Sequence, residues 1–219
     1  MNRRELSRRL LALACAPALG LAPWALSHAA ADTAEAPDAF IQRVATTTLD
    51  AVRADPAVKA GDMQKIMQLV DGLIMPNVNF NRMTASAVGR FWRQATPQQQ
   101  QQLQDEFKIL LVRTYSGALA QVKDQTLAFR PLRAAADATD VVVRSDLRGR
   151  GDPIQLDYRV EKTPTGWKIY DLNVMGIWLV ETYRTQFAQE INARGIDGLI
   201  AALAKRNQSN TASTAQRAG

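Results

Sequence analysis

The chain has 219 residues, 47% of them hydrophobic, with 27 lysines and arginines against 21 acidic side chains, one cysteine and one histidine. That length suits a single ordinary core, and one cysteine excludes a disulfide framework. Four arginines and Glu5 lie in the first 31 residues, so the remaining 188 carry 23 basic and 20 acidic side chains, a net charge of +3 in place of +6. With no lysine and arginine block and no base-stacking motif, this excess does not describe a nucleic-acid surface.

Residues 1 to 31 read as a cleaved export signal. Arg3, Arg4, Arg8 and Arg9 form a basic leader, Leu10 to Leu26 an apolar stretch broken by Pro17 and Pro23, and Ser27 to Ala31 a small-residue cleavage zone. A membrane anchor would need about twenty apolar residues without such prolines. Ser7-Arg8-Arg9-Leu10-Leu11 also looks like a twin-arginine signal, so the expected destination, by that route or the general one, is the periplasm. Cys15 follows a poor lipidation approach, Ala12-Leu13-Ala14, and the exported product is expected to be soluble. Cys15 and His28 both precede a cut before Asp32, which removes cysteine nucleophiles, histidine bases and the usual zinc sites. No glycine-rich phosphate loop or nucleophile elbow is present, so no enzyme and no cofactor is expected.

Helical spacing begins at Asp38, with Ile41, Val44, Ala45, Thr48 and Val52 on one stripe, and should stop at Asp55-Pro56. Asp62 resembles the N-cap of a second helix, whose stripe of Ile66, Leu69, Val70, Leu73 and Ile74 runs to Met75-Pro76. Asn77 to Arg93 packs Phe80, Phe91 and Trp92 into short helices and turns. Thr96-Pro97-Gln98-Gln99 then forms a capping box, opening a helix of roughly 26 residues with Leu103, Phe107, Leu110, Leu111, Tyr115, Leu119 and Val122 along one side.

Four strands are expected next, at Thr126 to Leu132, Asp140 to Arg148, Ile154 to Val160 and Lys168 to Val174, joined by hairpin-type connections at 149 to 153 and 163 to 166. Strict alternation places Tyr158 and Val160 on the inner face of the third strand, with Gln155, Asp157, Arg159 and Glu161 on its wet face. In the fourth it puts Tyr170, Leu172 and Val174 on one side and Ile169, Asp171 and Asn173 on the other. Across Gly176 the spacing becomes helical, with Leu179, Tyr183, Phe187 and Ile191, until Gly195; a shorter helix with Ile196, Leu199, Ile200 and Leu203 follows. The expected fold is α+β, helices packed over one face of a four-stranded twisted antiparallel sheet. Residues 32 to 204 form one domain, and the polar stretch 205 to 219 is read as a disordered tail.

The wide apolar stripes facing this sheet suit either a filled core or a lined pocket, and periodicity does not separate the two. An enzyme of cone-like α+β form using Asp157 or Asp171, or a ligand-free adaptor, are the competing classes. In either enzyme case the carboxylate would have to leave the face its alternation assigns to it.

Several stretches together resemble the periplasmic phospholipid carriers of the Mla lipid-asymmetry pathway, the MlaC or toluene-tolerance family. They are Pro76 through Phe80 with Met83; Val88-Gly89, Trp92-Arg93, Ala95-Thr96 and Gln99; Phe107, Leu110-Leu111 and Tyr115; Tyr158-Arg159-Val160; Trp167 through Asp171; and Gly176, Leu179-Val180, Tyr183-Arg184 and Phe187. The chain departs from the family pattern at Asn79, usually an aspartate, at Met175, often a glutamate, at Trp178, where a serine could cap the next helix, and at Thr182, usually an asparagine. The resemblance implies a monomeric carrier with acyl chains held between helices and sheet. Its cargo would be phosphatidylethanolamine or phosphatidylglycerol. Its partners would be an outer-membrane lipoprotein with porin and an inner-membrane transporter complex with a hexameric lipid-binding ring. The residues expected to hold the tails are Phe80, Trp92, Phe107, Leu111, Tyr115, Tyr158, Val160, Tyr170, Leu172 and Val174, with the arginines, among them Arg144, Arg148 and Arg184, serving any phosphate collectively.

Overall fold

A computed structural model of the chain describes residues 35–120, 122–135 and 137–217. The expected export signal, with Cys15 and His28, lies outside the described residues. Helix α1 (Pro37–Ala54) starts on Pro37, whose missing amide costs nothing at that position, and ends where Asp55 precedes Pro56. The Asp55 carboxylate then accepts from the Ala57 and Val58 amides and caps the short α2 (Pro56–Lys59). Asp62 does the same for α3 (Met63–Leu69), accepting from Gln64 and Lys65. The stripe expected to run as one regular helix to Ile74 does not: Val70–Ile74 is a π-helical turn, followed by a 3-10 turn, Met75–Asn77. Pro76 cannot donate into the helix and its ring crowds the preceding turn, so the helix widens and stops.

Asn79 caps α4 (Phe80–Val88), its side-chain oxygen 3.0 Å from the Arg82 amide, while its NH2 donates to Glu161 at 2.8 Å. A carboxylate at this position could cap but could not make that second bond. At Thr96 the capping box forms as read, with Thr96 Oγ1 accepting from the Gln99 amide and Gln99 Oε1 accepting from the Thr96 amide. It opens α5 (Pro97–Ala120), 24 residues long.

Strands β1 (Thr126–Phe129), β2 (Asp140–Arg148), β3 (Ile154–Thr163), β4 (Gly166–Val174) and β5 (Ile177–Trp178) form one antiparallel sheet in sequential order. The sheet has five strands where four were expected. Two residues are too few to leave a periodicity, and the Met175-Gly176 turn returns the chain along β4 before the helix begins. Beyond it runs α6 (Leu179–Arg217), broken at Gly195, whose φ of 73° is the left-handed conformation that makes glycine the natural stop there. The second half passes well beyond residue 204 and replaces the expected disordered tail with helix as far as Arg217: Asn207 is buried and donates to Glu106 of α5. No helix among the described residues is long and apolar enough to cross a membrane.

One irregularity positions everything that follows. Arg159 pairs with Asp171 but Val160 pairs with Ile169, so Tyr170 is an extra residue in β4 with no partner in β3. This bulge reverses the alternation. Trp167 and Ile169 before it, and Leu172 and Val174 after it, all share the face of Leu156, Tyr158 and Val160, whereas Tyr170 turns to the opposite face. There the Arg82 guanidinium stacks 3.5 Å from its ring, and its hydroxyl donates to Asp140 at 2.7 Å. Arg82 also pairs with Glu161 and Asp140, so a polar clasp joins α4 to β2, β3 and β4.

Burial, together with the adjoining Asp140 carboxylate, pushes the Tyr170 phenol up to about 12. In the unfolded chain it titrates near about 10, so between these values the folded state holds more protons. The contribution to stability is therefore complete below the lower value and is lost as pH rises through the upper one. Because burial raises other phenols of the chain too, the step is read by difference: the absorbance titration of Tyr170→Phe should lack one late-ionising phenol that the parent shows. A difference that titrates at the ordinary tyrosine value would refute the clasp.

Candidate functional site

Three apolar clusters meet around a space of about 390 Å³. One joins α4, α5 and α6 around Phe107; one joins α1 to the sheet; one joins α1, α2, α3 and the later half of α5. Between them α1 supplies Ile41, Val44, Ala45, Thr48, Leu49 and Val52, and the sheet supplies Leu127, Leu147, Ile154, Leu156, Tyr158, Ile169, Leu172 and Val174. The floor is Leu111, Val112, Tyr115, Ala118 and Leu119 of α5, with Ile74, Met75, Val78, Phe80 and Met83 closing the remaining side.

Few polar groups reach this space, and two of them are occupied. The Thr48 hydroxyl donates to the Val44 carbonyl at 2.8 Å, and Lys108 pairs with Asp71 at 3.0 Å. Burial pushes the phenols of Tyr115 and Tyr158 up, so both stay neutral hydrogen-bonding groups on an otherwise hydrocarbon wall. The space is lined almost wholly by hydrocarbon and opens to solvent on one side, the form of a pocket that can take an apolar ligand.

Of the residues expected to hold the tails, the structure places Phe80, Leu111, Tyr115, Tyr158, Leu172 and Val174 on the wall of this space. It places four elsewhere, each for a physical reason. Phe107 lies one turn before Leu111 but is fully buried among Phe80, Tyr183 and Phe187, with ring centroids 5.8, 5.0 and 5.2 Å away. Val160 is fully buried against α1 and β2. Trp92 packs at the margin of the α4–α6 core. Tyr170 is carried to the other face by the bulge. Sequence reasoning missed Ile169 for the same cause and missed the α1 wall, although the stripe Ile41, Val44, Ala45, Thr48 and Val52 was its visible signal.

The carboxylates that could have served an enzyme face away from this space. Asp157 and Asp171 are buried on the opposite side of the sheet. Asp171 accepts from the Leu172 and Val180 amides and from Arg159 at 2.8 Å, supplying to the start of α6 the cap that Trp178 cannot. Burial pushes its carboxyl up, and those three donors pull it back. Among the described residues no group of three histidine, cysteine or carboxylate side chains is placed to hold a metal ion.

The family model for the MlaC protein matches residues 42–205, three quarters of the chain. The chain belongs to the MlaC protein family. It is 25% identical over 182 residues to toluene tolerance protein ttg2D of Pseudomonas putida, covering 80% of this chain and 85% of that one. It is also 22% identical over 168 residues to the intermembrane phospholipid transport system binding protein MlaC of Haemophilus influenzae, covering 75% and 78%. Among solved structures, a phospholipid-binding protein of Ralstonia solanacearum in complex with a phospholipid is 52% identical, with a TM-score of 0.78 over 80% of this chain and 98% of the other. The α+β architecture of this MlaC-family chain, expected from patterning, is thus shared with a lipid-bound relative.

Proposed function

We propose that this MlaC-family protein binds phospholipid in the cavity between helices and sheet and carries it between membranes. The observation that carries the reading is an open, hydrocarbon-lined space between helices and sheet, in a chain 52% identical to a protein solved with a phospholipid. The tails lie against Phe80, Leu111, Tyr115, Tyr158, Leu172 and Val174, joined by Ile169 and the α1 wall. Exported to the periplasm as a monomer, the carrier shuttles phosphatidylethanolamine or phosphatidylglycerol between an outer-membrane lipoprotein with porin and an inner-membrane transporter, preserving outer-membrane asymmetry.

Energetics support a carrier over a sequestering store. Two acyl chains hold about thirty methylenes, and burying them from water would release about 24 kcal/mol at about 0.8 kcal/mol each, beyond practical binding limits. Water is therefore the wrong reference. Tails leave one apolar phase for another, the net exchange is small, and the barrier is their exposure on the way. A carrier lowers that barrier only by opening at a donor or acceptor.

Organic extraction of protein purified without detergent, followed by mass spectrometry, is expected to yield about one intact diacyl phospholipid per chain. Lipid-free protein would sink the carrier reading. Release of fatty acid or headgroup that depended on Asp157 or Asp171 would move the protein to the enzymes.

A further inference from the structure

The large apolar side chains most exposed among the described residues are Met175 at 67%, Ile177 at 58% and Ile154 at 37%, and all three gather at one end of the sheet. Val174 pairs with Leu156 on one side and Ile177 on the other, and the Met175 amide donates to the Gln155 carbonyl at 2.9 Å. Met175 and Gly176 are the two residues of a hairpin turn, with φ of 53° and 86°. Such a turn takes glycine or asparagine readily, whereas the Cβ of a methionine is crowded in the left-handed region. The turn thus holds a long apolar side chain where both backbone preference and solvent oppose it.

That apolar surface does not stop at the tip. Ile154 and Val174 both line the cavity, and Ile177 pairs with Val174, so the exposed apolar tip adjoins the cavity wall. Beside it, Leu147 and Ile154 also border a charged groove formed by Lys123, Asp124, Gln125, Arg150 and Asp152. Arg150 is 93% exposed and only 3.7 Å from Asp124 at nearest, and Arg148, 61% exposed, is 3.9 Å from Asp146. Each guanidinium has an aspartate partner, yet both are largely exposed and keep donors turned to solvent that can meet phosphate. A two-residue turn is far smaller than the roughly 800 Å² each partner gives to a specific protein interface. It fits a shallow insertion, with apolar side chains below the headgroups and cations at their level.

We propose that the Met175–Ile177 turn is a membrane-contact tip that enters the surface of an anionic phospholipid bilayer at the mouth of the cavity. The inference rests on the carrier reading and adds where the carrier meets its lipid phase. Tails pass along Val174 and Ile154 without crossing water.

Flotation with phosphatidylcholine vesicles, with and without phosphatidylglycerol, tests the tip, while lipid extracted from the same protein reads the carrier assignment separately. The protein is expected to float with the anionic vesicles, less so in high salt, and Trp178 emission should shift to the blue. Met175→Glu with Ile177→Glu should weaken flotation at least about tenfold and slow the loading of lipid from vesicles, while lipid extracted from the parent reads the carrier assignment. Met175→Asn, which suits the turn, should weaken it while keeping or raising thermal stability. Protein that carries lipid yet floats with neither vesicle, variants that float like the parent, or retention only by a membrane protein reconstituted in the vesicles would each overturn the proposal.

Discussion

Replacing Leu172 or Leu111 by tryptophan is expected to expel bound lipid from a chain that stays folded. The two side chains enter the cavity from β4 and α5 respectively, and both are only partly buried. In a filled core such enlargement costs about 1 to 3 kcal/mol through forced rotamers. Here the indole instead takes space that the tails would occupy, so the loss falls on the guest. The double variant should lower extracted phospholipid at least about tenfold, a change of about 1.4 kcal/mol or more in the exchange with membranes. Tyr170→Trp, two residues from Leu172, is the matched control. It places the same bulk on the far side of the sheet and should leave occupancy unchanged. Full lipid in the double variant, or equal loss in the control, would show that the tails lie elsewhere.

Phe107→Ala should have the opposite signature, a large loss of stability with little direct effect on lipid. The ring has no exposed surface and touches three aromatic neighbours on α4 and α6, two of them edge-on. Its removal should cost about 3 to 5 kcal/mol, most of it from the hole left between three helices. For a domain of this size the melting temperature should fall by roughly 10 °C. Denaturant titration measures the loss, and lipid extracted from the fraction that remains folded should match the parent. A cost below about 1 kcal/mol would contradict the packing.

These two residues mark what patterning could read. Phe107 and Leu111 sit four apart on one helical stripe and look alike in sequence. Which of them meets another helix and which meets open space depends on where α4 and α6 cross α5, and that crossing is set by residues some eighty positions away. The strands, the capping box at Thr96, the stops at Asp55 and Gly195 and the apolar faces of α1 and α5 were all legible, because each depends on neighbours within a turn or a hairpin. The fifth strand was not legible, being two residues long, nor was the continuation of α6 past Lys205, whose anchor at Asn207 binds a residue a hundred positions earlier.

Local chemistry in the sequence therefore determined most of the elements, their order, the α+β class and the wide apolar faces on helices and sheet. The tertiary structure decided which part of those faces is core and which is wall. A single extra residue at Tyr170 reverses the alternation of β4, bringing Ile169 into the cavity and sending Tyr170 to Arg82 and Asp140. Alternation along one strand cannot reveal a bulge, because a bulge is a mismatch between two strands and exists only once they are paired.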